Sequence, residues 1–146
     1  MDTKPSKYQA FTLVEILIVV VILGILAAIV IPQFTSAGAT TRENSLQMTL
    51  YRVREQIEIY KQQHNGNWPT FANFADQMTM ATDVNSNTNP TNTAVFRFGP
   101  YIREIPTNPF TSAATFGNGG IGTSDWYYDE AQGLFRANDS AQTAMY

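Results

Sequence analysis

Chemistry needs residues that can partner one another, and this 146-residue chain offers few. Its one histidine, His64, lies in the polar stretch KQQHNGN, and it has no cysteine. A histidine metal cluster, a Ser-His-acid triad and a thiolate site therefore have nothing to build on. The glycine-rich FGNGGIG has neither the lysine nor the strand–loop–helix setting of a phosphate loop. The late acids Asp125, Asp129, Glu130 and Asp139 are separated by strand-like residues and match no ordered ligand loop, so they read as turn residues and surface charges. Asn138 opens an Asn-Asp-Ser glycosylation sequon. The residue that stands apart is Glu15, a carboxylate just inside an otherwise apolar run. In hydrocarbon it would cost about 2.5–3.5 kcal/mol on insertion scales, so it should face a partner.

The element that positions Glu15 is the segment KYQAFTLVEILIVVVILGILAAIVIP, from Lys7 to Pro32. Between Phe11 and Ile31 only Thr12 and Glu15 are polar. Roughly 20 apolar residues let a helix span about 30 Å of hydrocarbon. A run apolar on every side is not the buried face of a soluble helix, so this segment enters a membrane at some stage. No second run approaches its length, and the chain is expected to insert once. A cleaved secretory signal would use Lys4 and Lys7, the apolar core and the small residues Ala37 to Ala39. Glu15 and the length of the run speak against it. A plain signal anchor explains the length but leaves Glu15 without a use. The net charge of −3 carries no basic patch, which argues against a nucleic-acid ligand.

AFTLVEILIVVVILGILAAIVIP resembles the N-terminus of type IV pilin-like proteins. The resemblance implies a short basic leader, residues 1–10, removed on the cytoplasmic side by a prepilin peptidase. The position of Lys4 and Lys7 in that leader agrees with the positive-inside tendency. Cleavage would fall between Ala10 and Phe11, and Phe11 would become a methylated N-terminus. Glu15 then holds the fifth place of the mature chain, where the family carries its glutamate. Where the family usually has Gly before the cut, this chain has Ala10, which is small enough for processing to survive at a lower rate.

The resemblance also supplies the partner for Glu15, the new amine at Phe11 of an incoming subunit. A buried carboxylate is tolerated when paired, so such a contact sets axial register while adding little net stability. The alternative is that Glu15 snorkels to the headgroups. Gly24 costs about 1 kcal/mol relative to Ala in a helix interior, and Pro32 removes a backbone hydrogen bond. Both resemble family positions between which such helices bend or locally melt in a filament. They also suit close helix packing at Gly24 and a membrane exit at Pro32.

Beyond Pro32 the chain turns polar, with Leu46, Leu50, Val53, Ile57 and Tyr60 returning at helical spacing. Arg54 and Glu58, one turn apart, form a candidate surface pair. Gly66 and its Asn neighbours suit a helix C-terminus. One helix is expected from about Phe11 to Gln63, roughly 80 Å at 1.5 Å per residue. Residues 11–32 would be its membrane or filament-core half and 33–64 its amphipathic continuation. Residues 65–146 would form a globular head. Phe71, Phe74, Ala75 and Met78 give a short helical face. NSNTNPTNTA and TSAATFGNGGIGTS read as loops, and Val95 to Phe98 and Tyr101 to Ile105 as short strands. Trp126 to Tyr128 and Leu134 to Arg136 read as a hairpin closed over Asp129 to Gly133. Trp68, Phe71, Phe96, Phe98, Trp126, Tyr128 and Phe135 are the expected packing. The fold class is α+β: a long N-terminal helix on a small antiparallel sheet, as in the pilin fold.

Within the head, NGNWPT, GPYI and IPTNPF resemble segments of the major pseudopilins of type II secretion. That resemblance implies a non-enzymatic subunit polymerising into a periplasmic pseudopilus. Its partners would be copies of itself, minor pseudopilins, the prepilin peptidase, and an inner-membrane assembly platform with its ATPase. It also implies that the chain waits as a single-pass inner-membrane protein with its head in the periplasm. Major pseudopilins often hold calcium through acids of a C-terminal loop, whereas the late acids here match no such loop; no cofactor is expected, with calcium as the alternative. The alternatives are a surface type IV pilin serving adhesion, motility or DNA uptake, and a monomeric membrane-anchored binding domain.

Overall fold

The computed structural model describes residues 11–146, with side-chain environments outside 31–37. Helix α1 runs without interruption from Leu13 to Gln63. A 3-10 turn, Phe71–Asn73, leads into α2, Phe74–Thr79. The strands are β1 (Ala81–Thr82), β2 (Thr88–Asn89), β3 (Phe116–Gly117), β4 (Trp126–Asp129) and β5 (Leu134–Ala137), and a last 3-10 turn spans Thr143–Met145. The chain divides into two compact units at Thr40/Thr41. The second part of α1 therefore belongs to the head.

The head is built on the apolar stripe of α1. Leu46, Leu50, Val53, Ile57 and Tyr60 are all buried, as their spacing requires. They pack against Phe74, Met78, Trp126, Tyr128, Phe135 and Ala137 in one cluster. β4 and β5 pair antiparallel, with Tyr128 opposite Phe135 and Trp126 opposite Ala137. Alternation puts these four residues on the covered face and leaves Tyr127 and Arg136 on the other. Arg136 lies over the Tyr127 ring there, 4.3 Å from its centroid. Tyr128 is fully buried, its hydroxyl donates to Pro69 O at 2.7 Å, and burial pushes its phenol well above the ordinary value. α1 closes as its sequence predicts. Asn65 and Gly66 take positive φ, and the Gly66 N–H donates to Lys61 O at 2.9 Å.

Several expectations need correction. The hairpin forms, but the sheet around it is mixed: β3, inside the glycine-rich stretch read as loop, runs parallel to β4. A second, antiparallel sheet joins β1 to β2, and β2 lies in the asparagine-rich stretch also read as loop. Val95 to Phe98 and Tyr101 to Ile105 do not form strands; the one ladder contact is a bridge between Thr82 and Phe98. Pro100 interrupts the two segments and cannot donate to a ladder. The Tyr101 and Ile102 N–H groups turn instead to Met78 O, at 2.9 and 3.0 Å. Phe96 and Phe98 are only half-buried and stand outside the core cluster, where Tyr101, Phe110 and Phe116 pack.

Arg54 turns towards the head rather than to Glu58. Its Nε donates to Phe135 O at 2.8 Å and its Nη2 to Tyr146 O at 2.7 Å. His64 is not at a polar surface but fully buried, extending the stripe by one more turn. Its ring stacks on Tyr60 at 3.8 Å, with Nδ1 2.7 Å from Tyr60 O and Nε2 3.1 Å from Thr82 Oγ1.

Candidate assembly site

The N-terminal part of α1 carries the features that the head does not explain. Every side chain from Phe11 to Val30 is exposed within the chain, Leu13 at 83% and Leu23 at 58%. Leu13–Val30 has a mean hydropathy of 3.2 and is long and apolar enough to cross a membrane. Burying one large aliphatic side chain is worth about 1.5–3 kcal/mol. A helix uncovered on all sides therefore gains strongly from a lipid or protein environment.

Thr12 sets where this helix starts. The Glu15 N–H donates to Thr12 Oγ1 at 3.2 Å and to Thr12 O at 3.1 Å. Thr12 is thus the N-cap and Glu15 stands at the third helical position, the T-x-x-E pattern of a capping box. Sequence reasoning missed this use of Thr12, although its signal, a capping motif just before an apolar run, was present. The Glu15 carboxylate is exposed in the first turn, where the positive end of the helix dipole favours a negative group.

Gly24 and Pro32 both fall inside the continuous helix α1. A Cβ added at Gly24 would meet nothing within 4 Å, so packing inside the chain does not require glycine there. Ala10, on the other side of the expected cut from Phe11, lies outside the described residues.

A model of the prokaryotic N-terminal methylation motif matches residues 5–31. The chain is 28% identical over 104 residues to type II secretion system core protein G of Aeromonas hydrophila, covering 71% of this chain and 68% of that protein. With the core protein G of Vibrio cholerae it shares 33% identity over 107 residues, covering 73% of this chain and 68% of the relative. The chain belongs to the type II secretion system core protein G family. A ComG operon protein 3 homolog of Bacillus licheniformis is 29% identical over 69 residues, 47% of this chain and 71% of that protein. No solved structure matches. The matches to core protein G are to a secretion-system component and not to an enzyme.

The methylation motif spans both sides of the Ala10–Phe11 bond and includes Glu15 and Gly24. A calcium ion of the kind implied for major pseudopilins does not fit the acids of this core protein G family member. Asp129 Oδ1 accepts the Ala131 N–H at 2.9 Å, and Glu130 Oε2 accepts the Phe71 N–H at 2.6 Å. Asp125 Oδ2 accepts both the N–H and the hydroxyl of Thr115, and Asp139 Oδ1 accepts from Asn108 and Thr143. Among the described residues no group of three or more acids or histidines converges on a point. Asn138 of the sequon is fully buried, its carboxamide donating to Gly120 O and Ser124 Oγ at 3.0 Å each, so it is not presented as a glycan acceptor.

Proposed function

We propose that this chain is a structural subunit that polymerises into a periplasmic pseudopilus of a type II secretion system. The observation that carries the proposal is an entirely exposed apolar helix opening on Phe11, Thr12 and Glu15 in a core protein G family member. Residues 1–10 act as the leader, cut between Ala10 and Phe11 by a prepilin peptidase that then methylates Phe11. Residues 11–32 hold the subunit in the inner membrane and later form the filament core, while 33–64 carry the head, 65–146, into the periplasm.

In the filament, Glu15 of one subunit receives the Phe11 amine of the next. Thr12 holds the helix start that presents both groups, and the pair fixes register between helices that would otherwise slide on a featureless apolar surface. The open space at Gly24 admits a neighbouring helix, and the missing N–H of Pro32 leaves a point where α1 can yield during packing. Energy for extraction comes from a separate platform and its ATPase, with minor pseudopilins as further partners.

Co-expression with a prepilin peptidase and an assembly platform tests this directly. Mass spectrometry should find a mature chain beginning at methylated Phe11. Electron microscopy should find filaments in the periplasmic fraction. An uncut chain without filaments would overturn the proposal, and filaments confined to the sheared surface fraction would replace it with a surface pilin.

A further inference from the structure

The loop after Pro106 and the turn after β5 are tied together by side chains, and we propose that this clasp, centred on Asn108, closes the head without a metal ion. Asn108 is fully buried. Its Nδ2 donates to Asp139 Oδ1 at 2.7 Å and to Asp125 O at 3.2 Å, while its Oδ1 accepts the Phe110 N–H at 2.9 Å. Its main chain closes its own loop, donating to Ala113 O at 2.7 Å and accepting from Ser112 N at 2.8 Å. One carboxamide therefore joins the loop from Asn108 to Thr115, the start of β4 and the end of β5.

The two carboxylates of the clasp are supplied with neutral donors. Asp125 Oδ2 accepts from Thr115 N at 2.8 Å and from Thr115 Oγ1 at 2.5 Å. Asp139 Oδ1 accepts from Thr143 Oγ1 at 2.9 Å besides Asn108. Asp125 O also receives the Asn138 N–H at 2.9 Å. Among the described residues no three acids or histidines gather at one point, so the clasp offers no carboxylate cluster and closes through Asn108 instead. The acids that could have recruited a metal hold loops directly.

The readout can be taken on the unassembled chain, so it does not depend on filament formation. Trp126 is fully buried and its Nε1 donates to Pro106 O at 2.7 Å, next to the clasp, so tryptophan fluorescence follows the head rather than the membrane helix. Thermal unfolding of the full chain in detergent would be compared in excess EGTA and in excess calcium chloride. The wild type is expected to melt at the same temperature in both. Asn108→Ala should melt lower by on the order of 10 °C in either buffer, since several buried bonds go together. Thr115→Val, which deletes the hydroxyl donor to Asp125 and keeps the shape, should fall by a smaller shift that is again indifferent to calcium. It carries the comparison if Asn108→Ala does not fold. A wild-type midpoint raised several degrees by calcium, or a Thr115→Val protein that calcium restores, would overturn the proposal.

Discussion

Asp83 and Asp125 show how single carboxylates fix loops in this head. The Asn87 side chain donates to Asp83 Oδ2 at 2.8 Å, and the Asn85 and Asn87 N–H groups donate to Oδ1 at 2.9 Å each. The Asn87 donor outweighs burial and holds the Asp83 carboxyl below its ordinary range. At Asp125 burial pushes the carboxyl up, but the Thr111 and Thr115 donors together overcome it, and the net direction is again downward. A carboxyl depressed in the folded state contributes stability that is fully present above its unfolded value, about pH 3.9. That contribution is lost as pH falls through the folded value. The unfolding midpoint of the head is therefore expected to hold steady above about pH 5 and to drop below about pH 4. Asp83→Asn combined with Asp125→Asn should flatten the drop. An acid limb equally steep in the double variant would mean that other carboxylates govern it.

Packing is close where the segment after α1 passes the hairpin turn. Trp68 lies against Gly133, and a Cβ there would come within 2.4 Å of the indole; Gly133 also has φ of +65°. Lys61 Nζ stands 3.8 Å from the centroid of the same ring. Gly133→Ala is expected to cost the head about 2–3 kcal/mol, from backbone strain and overpacking together. Urea unfolding would measure it, and a loss under about 0.5 kcal/mol, the level of an ordinary surface change, would contradict the packing. Elements whose signal is local were legible beforehand. The α1 stripe repeats at helical spacing, Asn65 and Gly66 mark its end, and the hairpin alternates Trp126, Tyr128 and Phe135 inward. What failed depends on distant partners. Residues 95–105 alternate like strands, yet Pro100 withholds a donor and Met78 O captures the next two N–H groups. β3 looked like loop because two residues pair only once β4 is beside them. His64 looked polar because the sequence does not show Thr82 and Tyr60 closing over it. At the N-terminus the position of Glu15 was legible, but the capping of its N–H by Thr12 was not recognised.

At the scale of the molecule, a self-sufficient head and an apolar helix without cover divide the work. The head buries its stripe and needs no second chain to do so, whereas Phe11 to Val30 bury nothing within the chain. In the proposed filament, other copies of the chain would cover that helix. Two uses of Glu15 are then to be separated, because closing a capping box back onto the Thr12 N–H would need only a side-chain acceptor, whereas register pairing needs a charge. Glutamine serves the box as glutamate does, but it cannot neutralise an amine. Filament yield of wild type, Glu15→Gln and Glu15→Ala, each co-expressed with peptidase and platform and counted by electron microscopy, separates the two. Charge pairing to the Phe11 amine requires filaments from the wild type alone, with both variants cut but unassembled. Filaments from Glu15→Gln at wild-type abundance would contradict it and leave Glu15 as a helix cap.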